Sequence, residues 1–206
     1  MKYCFSMLIA ALLIIPNYTN AQLVKIGGGG GITQVLAPDF FTDEVGGYGF
    51  STEWNVGLIA KVDLALIPIT PRGYVLYHSL TGNGEFDPIF YGEPNVEFEL
   101  NILEIGVGAQ YNFIPAPLGF DPYLALDFGY TNISKLSANG SEDIPLNEDL
   151  SRFGGGIGVG TEISIIPVVN LDFYLSYKMF NLTGKEGGEE TISAVTLDAF
   201  IIFNFL

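Results

Sequence analysis

VNLDFYLSYKM, Val169 to Met179, splits into two faces when read with a period of two. Leu171, Phe173, Leu175, Tyr177 and Met179 fall on one side, and Asn170, Asp172, Tyr174, Ser176 and Lys178 on the other. Successive side chains of a strand point to opposite faces of a sheet, so the pattern predicts a strand with one apolar and one polar face.

The neighbouring segments follow the same rule. In SRFGGGIGVGTEISI, Ser151 to Ile165, the residues Phe153, Ile157, Val159, Ile163 and Ile165 oppose Arg152, alternate glycines and Glu162. Ile192 to Phe205 sets Val195, Leu197, Ala199, Ile201, Phe203 and Phe205 against Thr196, Asp198, Phe200, Ile202 and Asn204. Tyr123 to Ile133, Asn55 to Leu66 and Leu23 to Leu36 also alternate, whereas the facing of Arg72 to Leu80 stays open because both parities mix. Val96 to Phe113 exceeds one membrane crossing, and its apolar phase changes near Ile102 and Leu103. Leu103 to Phe113 is read as the spanning part, with a bulge or a protruding hairpin stem before it.

These segments make eight strands, and their connections alternate in length. Ile67 to Arg72, Ile114 to Asp121 and Ile166 to Val168 are short and built on proline. Ala37 to Gly49, Thr81 to Asn95, Ser137 to Asp149 and Thr183 to Glu190 are longer. An even-stranded barrel with both ends on its short-turn side requires this order, with periplasmic turns and extracellular loops. A soluble sandwich would also alternate, but its polar face would carry many Lys, Glu and Thr. Here that face is Gly, Ala, Asn, Ser and scattered charge, which suits the narrow interior of a small barrel. The expected fold is all-β: a closed antiparallel eight-stranded transmembrane β-barrel, its backbone fully paired as lipid demands.

This reading explains KIGGGGGITQ, Lys25 to Gln34. A phosphate loop would feed a helix and place Lys then Ser or Thr after the last glycine; here Ile32 and Thr33 follow. As a strand, it points Lys25, Gly27, Gly29, Gly31 and Thr33 inward, leaving room for Tyr123, Tyr174 and Phe200. The inward charges are Lys25, Lys61, Arg152 and Lys178 against Asp63, Glu104, Asp127, Glu162, Asp172 and Asp198. Buried charge demands partners, so these ten residues are expected to form an ionic network across a polar, plugged lumen. Arg152 is expected to pair with Glu162 or an acid on an adjacent strand.

Composition narrows the rest. Lys2 precedes the apolar run Met7 to Ile15, and the first 21 residues end in Thr19, Asn20 and Ala21, the pattern of a secretory leader. Residues 1–21 are expected to be cleaved, leaving 22–206 as the barrel domain. Cys4 leaves with the leader, so a mature chain has no thiol, and losing Lys2 takes the formal charge from −15 to −16. That balance opposes nucleic-acid binding. Just over half of the 23 acidic residues lie in Asp39 to Glu44, Gly84 to Asp87, Ser141 to Asp149 and Lys185 to Glu190. Divalent cations are candidate ligands there, bridging the loops to each other or to lipopolysaccharide, although none has calcium-loop spacing. Phe40, Phe41, Tyr48, Phe90 and Tyr91 read either as ligand contacts or as an interfacial belt.

KIGGGGGIT, DPYLALDFGYTN (Asp121 to Asn132), RFGGGIGVGTEI and LDAFIIFNFL together resemble the small eight-stranded outer-membrane barrel family, the OmpA transmembrane-domain and OmpX type. The resemblance spans Gln22 to Leu206. It implies the outer membrane, contact with its lipid and lipopolysaccharide, insertion by the barrel-assembly machinery and a monomer without cofactor. The chain departs from the pattern in having Leu206 after Phe205, and no peptidoglycan-binding domain is expected after the barrel. Some such barrels resemble lipid-modifying enzymes that use His and Ser, but His78 and Ser79 are adjacent in a strand and point apart. A structural or surface-interaction barrel is therefore the leading functional expectation, and a narrow porin-like channel the alternative.

Overall fold

The computed structural model describes residues 22–64, 67–85, 95–113, 119–134, 136–139 and 149–205. It contains strands β1 (Gln22–Ala37), β2 (Thr52–Leu64), β3 (Ile69–Glu85), β4 (Asn95–Asn112), β5 (Phe120–Ile133), β6 (Ser137–Asn139), β7 (Leu150–Ile166), β8 (Val169–Thr183) and β9 (Ser193–Phe205), and a one-turn helix α1 (Asp39–Thr42). Every pairing is antiparallel, and β1 hydrogen-bonds to both β2 and β9, while β3 closes onto β4. The result is a closed eight-stranded barrel, in which the three-residue β6 pairs with Glu97–Glu99 on the β4 edge that β5 occupies lower down, extending β5 after a one-residue shift in register. The expected leader, residues 1–21, lies outside the described residues.

The alternation fixes inside and outside. On β8 Leu175 is 45% exposed, whereas Asp172 is fully buried. Leu58 at 62% and Val107 at 67% mark the same outward face on β2 and β4. Aromatic residues gather near both ends of this face: Trp54 with Tyr77 and Tyr130 with Phe153 at the long-loop end, and Tyr111 with Phe113 at the other. Mostly aliphatic residues, with Phe128 among them, lie between, an arrangement that matches lipid tails flanked by two interfaces.

Two connections differ from expectation. Residues 81–85 and 95 belong to strands, because β3 and β4 stay in register from Ile69↔Tyr111 to Glu85↔Asn95. The protruding stem is thus real and needs no bulge. Its even residues point inward along the whole of β4: Glu104 and Gln110 lower down, Val96, Phe98, Leu100 and Ile102 above. The apparent phase change near Ile102 is a change in what fills the interior. The Ala37–Gly49 connection folds across the barrel mouth and docks on the stem, where the Glu85 amide donates to the Glu44 carbonyl at 2.6 Å.

Candidate functional site

The facing of β3, open in the sequence, is decided by the register: Arg72, Tyr74, Leu76, His78 and Leu80 are buried inside, and Val75 and Tyr77 face outward. Arg72 is a central lumen cation that the inward list above lacks. The parity of Arg72 and His78 is the signal that finds it, since a guanidinium on the lipid face is far costlier than one inside.

The lumen repeats one arrangement three times. In each, a cation pairs with a carboxylate, a tyrosine hydroxyl donates to that carboxylate, and the tyrosine ring faces the cation. Lys61 Nζ lies 2.7 Å from Asp172 Oδ2, the Tyr123 hydroxyl donates to Asp172 Oδ1 at 2.7 Å, and Lys61 sits 4.9 Å from the centre of the Tyr123 ring. Arg72 grips Asp127 through Nε at 2.9 Å and through Nη2, the Tyr174 hydroxyl donates to Asp127 at 2.8 Å, and the guanidinium lies 4.1 Å from that ring's centre. Lys178 Nζ is 2.6 Å from Glu104 Oε2, the Tyr74 hydroxyl donates to Oε1 at 2.7 Å, and Lys178 stands 4.8 Å from the centre of the Tyr74 ring. Ion pairing, hydrogen bonding and cation–π attraction together offset the desolvation of each charge.

Glycines make the space for these rings. A Cβ at Gly160 would overlap the Tyr123 ring, one at Gly158 would lie 2.7 Å from Tyr174 Cε2, and one at Gly106 would overlap Tyr74. The run on β1 serves a different contact from the one expected. A Cβ at Gly29 would lie 2.7 Å from Phe200 Cα, and one at Gly27 would lie 2.7 Å from the Ile201 carbonyl oxygen. These glycines therefore admit the backbone of β9, rather than making room for the Phe200 ring.

Around this centre, Lys25 Nζ bridges Asp63 at 2.7 Å and Glu162 at 2.5 Å, and Lys61 reaches the other oxygen of Glu162 at 3.3 Å. The structure thus joins Lys25, Lys61, Asp63, Glu162 and Asp172, and it pairs Glu104 with Lys178. Asp198 stands apart: it accepts from Thr196 Oγ1 at 2.9 Å. It shares with Arg72, Asp127 and Lys178 the lining of a void of about 10 Å³, the space of roughly one water. Arg152 corrects the expectation directly. It lies at the long-loop rim and holds Glu189, with Nη2 to Oε2 at 2.7 Å and Nε to Oε2 at 2.9 Å, not Glu162. Those hydrogen bonds from the guanidinium lower the Glu189 carboxyl to about 2. The loop carrying Glu189 determines the pair, and strand parity carries no information about it.

Above Glu104 the interior turns mainly apolar, a layer that the expected polar, plugged lumen does not include. Leu80, Phe98, Leu100, Ile102, Ile133 and Phe180 are buried there, closed from the mouth by Phe41 and Phe50. His78 marks the border, with Nδ1 2.8 Å from Thr33 Oγ1, Nε2 3.7 Å from Glu104 and its ring against Phe180. Ser79 lies on the opposite face, so the two form no base and nucleophile pair. Phe41 and Tyr48 pack with Phe50 and Phe98 over the mouth, not in a lipid belt. Phe90 and Tyr91 lie outside the described residues. Among the described residues no three acidic, His or Cys side chains converge to hold a metal; residues 86–87 and 141–148 of the acidic stretches are not among them.

The closed eight-stranded barrel resembles those of small outer-membrane β-barrel proteins of known structure. The chain is similar over 90% of its length to all of a major outer membrane protein from Thermus thermophilus, with a TM-score of 0.62 at 13% identity. It matches Neisserial surface protein A over 89% of its own length and 97% of that chain, with a TM-score of 0.55 at 16% identity. It matches Ail, the attachment invasion locus protein of Yersinia pestis, solved with the heparin analogue sucrose octasulfate, over 90% of its own length and all of that chain, with a TM-score of 0.53 at 12% identity. No family model and no curated protein matches the sequence.

Proposed function

We propose that this chain is a structural and surface-interaction barrel of the outer membrane, delivered by a cleaved leader at residues 1–21 and closed to solutes along its lumen. The observation that carries the reading is the double seal inside an apolar exterior: three ion pair and tyrosine units, then a layer of buried apolar side chains. A narrow porin-like channel would need a continuous wet path. The void among Arg72, Asp127, Lys178 and Asp198 has room for about one water and does not make such a path.

In this reading lipid and lipopolysaccharide surround the barrel, the barrel-assembly machinery inserts it, and it works as a monomer that presents its loops to the outside. The sulfated ligand solved with Ail does not transfer well. The loop end here carries Asp39, Asp43, Glu44, Glu186, Glu189 and Glu190, which would repel a polyanion and favour cations. The test is labelling with a membrane-impermeant thiol reagent in intact cells. Cysteine at Gly187, in the open loop, should react, and cysteine at Val168, in the tight turn between β7 and β8, should not. The reverse pattern would invert the topology, and equal protection of both would remove the chain from the cell surface.

A further inference from the structure

Beyond the sealed lumen, and independent of whether it conducts, the loop end holds a cavity of about 240 Å³. It is lined by Phe40, Phe41, Tyr48, Ile133 and Leu136 and by residues of the segment from Gly188 to Ile192. An apolar cavity of about 150 Å³ is enough to hold benzene, so this one takes a ring with a short arm.

The polar groups at its border specify the arm. Asn181 is fully committed: its Nδ2 donates to Glu189 Oε1 and to the Glu190 carbonyl, each at 2.7 Å, and its Oδ1 accepts from the Ile192 amide at 2.6 Å. Glu189 is held by Arg152. That leaves the Glu190 carboxylate, which has no partner among the described residues. The rings of Phe40 and Tyr48, packed edge to face at 5.6 Å, line the same cavity. An apolar chamber, an uncommitted carboxylate and aromatic faces suit a ligand with an apolar body and one positive charge. An anion would meet Glu186, Glu189 and Glu190 together.

We propose that this cavity binds small arylalkyl or alkyl ammonium compounds, the apolar body lodged between Phe41 and Leu136 and the ammonium placed against Glu190. The test uses the full barrel in lipid nanodiscs, titrated with phenylpropylammonium, phenylpropanol and phenylpropionate, a cation, a neutral molecule and an anion of nearly one shape. Signal from protein-free nanodiscs is subtracted to remove partition into lipid. Saturable binding is expected, about tenfold tighter for the ammonium than for the alcohol and weakest for the carboxylate. Glu190→Gln, an exposed change that leaves the fold intact, should reduce the ammonium to the level of the alcohol. Leu136→Trp should fill the chamber and abolish binding of all three. If that variant does not fold, the three probes and Glu190→Gln decide alone. No binding above protein-free discs, equal binding of the three probes, or an unchanged preference in Glu190→Gln would each overturn the proposal, as would undiminished binding to a folded Leu136→Trp.

Discussion

Between the β7–β8 turn and Glu104 the lumen is packed with charge, whereas from His78 to the mouth it is lined with Leu, Ile and Phe, some of which border the loop-end cavity. The lower half tolerates buried Lys61, Arg72 and Lys178 because each has a carboxylate and a tyrosine hydroxyl in place around it. The upper half contains no such units among the described residues and is closed by side chains from the strands and from the segment folded over the mouth. The two halves fill a narrow barrel by different means. Directed polar contacts hold facing strands at fixed positions, and apolar filling depends on shape. The two should therefore respond differently to the loss of one side chain.

The largest effect is expected from breaking an ionic unit. Arg72→Ala leaves Asp127 buried with only the Tyr174 hydroxyl, and it should destabilise the barrel by about 3 to 5 kcal/mol. Urea unfolding in lipid vesicles measures this, and the double variant Arg72→Met with Asp127→Leu should recover much of the loss. Failure to recover would mean that the pair contributes through more than mutual compensation of charge.

Next is the apolar half. Leu100→Ala should cost about 2 to 4 kcal/mol, set by how far Phe98 and Ile133 can close over the space. A loss below 0.5 kcal/mol, on the order of an ordinary surface substitution, would show that the mouth segment collapses to fill it. A smaller effect is expected at the rim. Arg152→Ala removes a partly exposed pair and should cost at most about 1 kcal/mol. An effect as large as that of Arg72→Ala would place Arg152 in the ionic core after all.

The last prediction is the pH response of that rim contact. Glu189 is held at about 2, below the ordinary carboxylate value, by the Arg152 guanidinium. For a depressed acid the stabilisation is complete above the unfolded pKa and disappears as pH falls through the folded one. Amide protection of residues 186–190 should therefore hold down to about pH 4.5 and fall towards pH 2, and in Arg152→Ala the fall should begin at higher pH.

The strands and their order were legible because lipid imposes one demand along each outer face, and β8 and β9 meet it at every second residue. β3 was opaque because Tyr77 outside and Tyr74 and Leu76 inside are similar in character, so that only Arg72 and His78 distinguish the faces. The upper lumen was hidden for a related reason. Val96, Phe98, Leu100 and Ile102 are apolar on the inward face, and a pattern that equates apolar with outward reads them as a change of phase. The partner of Arg152 was beyond reach, since it depends on how the β8–β9 loop returns over the rim. Tyr123 and Tyr174, expected beside the glycines of β1, lie against Gly160 and Gly158 of β7 instead; the glycines of β1 serve the close approach of β9, a backbone contact that alternation does not encode.

The proposed function requires a sealed lumen. Purified protein reconstituted into planar lipid bilayers, in moderate salt and beside a protein-free control, tests it most directly. The double seal predicts no conductance above the control at either polarity. Steady unitary steps from the wild-type barrel, with reproducible ion selectivity, would contradict it and establish the narrow channel in its place.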